Sequence, residues 1–185
     1  FALWYYFAVI QPRGLKPFLK TRTEGLSPAC FGWILLLAFA VQHLTSLVFT
    51  LIDMFSPAAV ENYSQMVETS GLTEYSFVWF LSTLILPPLT EEIIFRGLLL
   101  GYLKKTGIPF LAANLIQAVC FGIYHQNLAQ GIYTALLGFL LGYLAQRYGT
   151  LIAPMFLHFL YNLFGTVLVD LENAFLPAAG QGLLV

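Results

Sequence analysis

From Ile108 to Gln146 the chain carries no Asp, Glu, Lys or Arg. As one helix this run would be about 58 Å long, nearly twice a bilayer core of about 30 Å. It must fold back, and the polar string His125-Gln126-Asn127, followed by Gln130-Gly131, is the turn. Other charge-free stretches repeat the pattern. Ala29 to Ile52 is long enough for one span. Tyr75 to Thr90 is a second, with apolar character resuming after Arg96 through Leu103. Tyr148 to Val169 is the last, with Pro154 near a first turn, where proline is tolerated. Phe1 to Ile10 covers about half a bilayer and reads as the tail of a span whose beginning is missing. The expected fold is all-α: a polytopic transmembrane helix bundle of five full spans plus a partial N-terminal span, forming a single domain over residues 1–185.

Composition points the same way. The chain is 59% hydrophobic and 9% charged, against about 25% charged in ordinary soluble domains. A net charge of −1 supplies no field that would draw nucleic acid. Cys30 and Cys120 stand in apolar runs with no CxxC spacing, as buried structural thiols do.

The loops alternate in charge. Arg13, Lys16, Lys20 and Arg22, then Lys104 and Lys105, then Arg147 fall on one side. Asp53, Glu61, Glu68, Glu74, Asp170 and Glu172 fall on the other. Basic loops mark the cytoplasmic side, and the short loops suit a multi-pass protein of a bacterial cell membrane. The polar segment Ser56 to Gly71 is expected to hold a short surface helix.

Three charges interrupt the Tyr75 to Leu103 segment, in the string T-E-E-I-I-F-R-G. A charge at the bilayer centre costs from about 2.5 to more than 10 kcal/mol, so intramembrane ionisable groups mark paired or functional sites. Glu92 and Arg96 are spaced i,i+4 in the favourable order for a pair. Glu91 points about 100° away and is left to face a cavity. Pro87 and Pro88 just before it should kink or break the helix and free backbone carbonyls that protein or water must cover. His125 closes F-G-I-Y-H, and His158 and Asn162 share a helix face four residues apart. Together these groups suit hydrolysis: Glu91 or His125 to take a proton from water, His158 and Asn162 to donate to an oxyanion. The structural alternatives are an ion pair that fixes packing for Glu92 with Arg96, and interhelical hydrogen bonds for the histidines and Asn162. His43 has no acidic partner at helical spacing and is read as structural; Tyr124 and Tyr161 are read as packing or interface residues.

Three strings, Glu91-Glu92…Arg96, Phe121…His125 and His158…Asn162, resemble the E-E-x-x-x-R, F-x-x-x-H and H-x-x-x-N motifs of the CPBP family of intramembrane proteases, also called the Abi or CAAX prenyl protease 2 family. The resemblance covers a motif core of residues 87–164. It implies an intramembrane, glutamic-type endopeptidase acting on a membrane-associated or lipidated peptide within the bilayer. Glu91 and His125 would activate water, His158 and Asn162 would hold the oxyanion, and Glu92 with Arg96 would orient the base. Eukaryotic relatives cleave a prenylated C-terminal peptide; bacterial ones are linked to bacteriocin self-immunity, peptide maturation or surface-protein regulation. No HExxH, GxGD or GxSG string favours another class of membrane protease.

No cofactor is required by this reading. A zinc site on Glu91, His125 and His158, with a fourth position for water, stands as an alternative. Further alternatives are a non-catalytic immunity or scaffold protein of the same fold and a proton-coupled carrier. Counted from the basic ends, Glu91 lies about 18 Å deep, His125 about 25 Å and His158 about 10 Å. Helix tilt or long side chains must close that spread if the groups meet.

Overall fold

The computed structural model describes residues 25–70 and 75–171, and among these every regular element is helical. Phe1 to Ile10, the first basic loop, Glu74 and Glu172 lie outside the described residues.

Helix α1 (Pro28–Phe55) opens with proline in its first turn and stops at Ser56. Pro57 then starts α2 (Pro57–Thr69), the short polar helix expected there. Helix α3 (Phe77–Lys105) carries the charged string. Helices α4 (Phe110–Tyr124) and α5 (Leu128–Tyr148) form the hairpin required by the long charge-free run. Its turn is His125-Gln126-Asn127. Gln126 adopts a left-handed backbone (φ 56°), and the Asn127 side chain caps α5 by accepting from Gln130 N at 3.0 Å. Gly149, at φ 61°, ends α5, and α6 (Ile152–Leu171) returns.

Four of these helices, α1, α3, α5 and α6, are long and apolar enough to cross a membrane. Helix α4, at 15 residues, is shorter than the roughly 20 residues of a full span. Its turn with α5 is therefore set within the bundle. The outward faces are apolar, with Trp33, Leu36, Phe77 and Ile123 each more than half exposed, as lipid-facing surfaces are. The core gathers Ile34, Phe95, Phe121, Leu137, Leu141 and Leu157 from all five long elements. Both cysteines are half-buried, not buried, and neither is in a disulfide. His43 packs edge-on against Phe39.

Proline does not break α3. The helix stays continuous and widens instead, with π-helical turns at Phe80–Ile85 and Glu92–Leu99 on either side of Pro87 and Pro88. Such turns relieve a disturbed i→i−4 ladder and recur at functional sites. On the acidic-loop side, Tyr75 donates to Asp170, tying the start of α3 to the end of α6. Lost solvation, then the neighbouring carboxylate, pushes that phenol up to about 12.

Small residues let α4 and α5 touch. A Cβ on Gly122 would sit 2.4 Å from the Gly131 carbonyl oxygen, and one on Gly142 would sit 1.8 Å from Asn114 Oδ1. Asn114 and Gln117, fully buried on α4, hydrogen-bond the α5 carbonyls of Phe139 and Gly138 at 2.9 Å each. Without water to satisfy them, such amides join helices.

Candidate active site

Glu92 is fully buried, and Arg96, one helical step below, reaches its Oε1 with Nη1 at 2.9 Å. The guanidinium has two further supports. Nη2 donates to Gly138 O of α5 at 3.1 Å, and Cζ lies 4.3 Å from the Phe121 ring centroid on α4. Charge, hydrogen bond and cation–π contact thus hold one cation where lipid alone would expel it.

The same Glu92 oxygen takes a second donor. His158 Nδ1 of α6 lies 2.9 Å from it. A carboxylate only accepts, so Nδ1 carries the hydrogen and Nε2 faces the other way. There it meets Glu91 Oε2 at 3.8 Å. Glu91 sits at the boundary between the proline turn and the second wide turn of α3, and its Oε2 has no hydrogen-bond partner.

His125 caps its own helix. Its Nδ1 lies 2.8 Å from Phe121 O in the last turn of α4. A carbonyl can only accept, so this ring too has its hydrogen on Nδ1 and leaves Nε2 as a free base. Phe121 therefore serves twice, with its ring on Arg96 and its carbonyl on His125.

Asn162 donates through Nδ2 to Thr83 O at 2.9 Å. That carbonyl lacks an ordinary helical partner. Pro87 is four residues on and Pro88 five, and neither has an N–H to give. The amide has two hydrogens, and one remains for another acceptor.

Glu91, His125, His158 and Asn162 all line one cavity of about 500 Å3, and Glu92 and Arg96 stand behind its wall. The spread of depths counted along the helices does not keep the four apart. Tyr161, expected as a packing residue, also lines this cavity and hydrogen-bonds the Thr45 hydroxyl at 2.9 Å. Gln42, Tyr63 and Tyr133 extend the polar wall. Nothing in their spacing marks them, because their place depends on how α1, α2 and α5 meet. Among the described residues no three His, Cys, Asp or Glu side chains are grouped to hold a metal ion.

The segment that carries these residues matches a known family. The model of the type II CAAX prenyl endopeptidase Rce1-like family matches residues 73–164. Over that segment the chain is similar to the Rce1-like family. The segment contains all six polar residues of the three strings. A Bacillus subtilis protein named membrane peptidase YdiL is 38% identical over 89 residues, 48% of this chain and 35% of that protein. CAAX prenyl protease 2 of Arabidopsis thaliana is 28% identical over 126 residues, 57% of this chain and 40% of that protein. The chain thus spans less than half the length of these relatives. No solved structure matches it significantly.

Proposed function

We propose that the chain is an intramembrane endopeptidase that hydrolyses a peptide bond in a membrane-associated peptide, and that residues 1–185 act as one domain in doing so. The observation that carries this reading is the shared cavity, lined by the Glu91 carboxylate, whose Oε2 has no hydrogen-bond partner, and by two imidazoles whose Nδ1 atoms are engaged elsewhere. The family similarity supports the same chemistry.

Water held between Glu91 and His125 loses a proton to one of them and attacks the scissile carbonyl carbon. The carbonyl oxygen becomes an oxyanion, stabilised by hydrogen-bond donors. Asn162 offers its second amide hydrogen. His158 offers Nε2–H once that nitrogen is protonated, and the Glu92 carboxylate at Nδ1 stabilises the resulting imidazolium. The intermediate collapses with cleavage of the C–N bond, and the proton taken from water passes to the leaving amine. The products are a carboxylic acid and an amine. Arg96 compensates the Glu92 charge and touches no reacting atom.

The test is cleavage by purified protein of a library of lipidated and transmembrane peptides, with Glu91→Ala as control. Cleavage by the wild type that disappears in the variant is expected; equal cleavage by both overturns the reading.

A further inference from the structure

The cavity is not centred in the bundle. Its lining residues on α1 begin at Gln42 and end at Phe49, in the half that leads to Asp53. On α3 they run from Ser82 to Glu91, in the half away from Lys104 and Lys105. On α5 they run from Gln130 to Leu137, away from Arg147. On α4 only its last turn and His125 contribute, and on α6 His158 forms the floor, with the lining continuing to Val169 beside Asp170. Helix α2, which lies wholly on the acidic-loop side, adds Val60, Tyr63 and Ser64. No helix contributes a lining residue from its basic end.

Charge orients this asymmetry. Among the described residues the lysines and arginines outside the Glu92 pair are Lys104, Lys105 and Arg147, all on the side that contributes no lining residue. Asp53, Glu61, Glu68 and Asp170 all lie on the cavity side. Arg13, Lys16, Lys20 and Arg22 precede α1 in the sequence, at its end without lining residues. Short loops rich in lysine and arginine stay in the cytoplasm. Hydroxyls and amides, among them Thr45, Ser46, Gln130 and Thr166, are set among apolar side chains such as Phe49, Leu137 and Val169 in the wall above the floor. Thr45 and Thr166 donate to Val41 O and Asn162 O of their own helices, so their hydroxyl oxygens are left as acceptors that a peptide N–H could meet.

We propose that the cavity is reached from the acidic-loop face, that this face is extracytoplasmic, and that the occupant is a peptide segment exposed on that side and not a cytosolic C-terminus. The substrate clause rests on the peptidase reading; the sidedness does not. Single cysteines introduced at Ser46 (cavity wall), Ser64 (cavity rim) and Thr106 (basic loop), in a background of Cys30→Ser and Cys120→Ala, decide it. A membrane-impermeant maleimide applied to intact cells is expected to label Ser46→Cys and Ser64→Cys, and to label Thr106→Cys only after permeabilisation. The reverse pattern overturns the proposal. So does labelling at Ser64→Cys with Ser46→Cys closed from outside, since the cavity would then be sealed from that face. Thr166→Cys is a second wall reporter should Ser46→Cys fail to accumulate. Absence of peptide cleavage in the purified protein would overturn the peptidase reading and the substrate clause, and would leave the labelling pattern to decide sidedness by itself.

Discussion

His158 donates through Nδ1 to the Glu92 oxygen that Arg96 also reaches, at 2.9 Å in each case. One carboxylate oxygen therefore neutralises a cation and sets a tautomer. Adjacent in sequence, the two glutamates do different work. In the proposed reading Glu92 is structural and electrostatic, whereas Glu91 is the group left for chemistry.

That division predicts opposite signatures. Glu92→Gln leaves Arg96 buried without its counter-charge, and breaking such a pair costs about 3–5 kcal/mol. It should lower thermal stability in detergent as well as cleavage. Glu91→Gln removes no hydrogen bond and should reduce cleavage by roughly 10²–10⁴-fold with an unchanged unfolding temperature. Differential scanning measurements on both variants check this; a large loss of stability in Glu91→Gln alone would reverse the assignment.

Asn162 combines two functions that a second substitution separates. Asn162→Ala uncovers Thr83 O, at about 1–3 kcal/mol for a buried acceptor left unmet, and removes a donor to the oxyanion. Pro87→Ala restores a backbone N–H four residues beyond Thr83. The double variant Asn162→Ala/Pro87→Ala should recover part of the lost stability and none of the lost kcat. Recovery of both would make Asn162 a helix cap alone.

Phe121→Leu keeps bulk and the Phe121 carbonyl, so His125 keeps its tautomer. It removes the ring 4.3 Å from Arg96. A desolvated cation–π contact is worth about 2 kcal/mol, and stability should fall by that order, measured by thermal unfolding, with cleavage by the folded fraction little changed.

Two glycines give a matched pair. Gly142→Ala drives a methyl into Asn114 and should destabilise by about 1–3 kcal/mol. Gly101→Ala meets open space and should be neutral or stabilising by about 0.5–1 kcal/mol. Parallel thermal unfolding of the two variants tests the packing of the hairpin.

Much of this architecture is legible in local sequence. Length alone forces the α4–α5 hairpin, and the i,i+4 spacing of Glu92 and Arg96 predicts their pair and the separate direction of Glu91. What spacing cannot reveal is contact across helices. Glu92 with His158 joins positions 66 residues apart, and Asn162 with Thr83 joins positions 79 apart. Both depend on the crossing of α3 with α6. The prolines suggest a break because a lost N–H is a local fact. The helix instead continues through wide turns and takes a donor from its neighbour, which is a tertiary fact. Gln117 and Asn114 carry no motif, and their role follows only from the glycines that let α5 approach.

Gly138 O accepts both Arg96 Nη2 and Gln117 Nε2. The backbone of α5 is thereby part of the arginine's solvation shell, a service that water performs in soluble enzymes. Transplanting the glutamates, arginine and histidines into another helical scaffold would leave that cation under-solvated unless the glycine-lined hairpin travelled with them. The portable unit of this chemistry is a pair of touching helices together with the side chains they support.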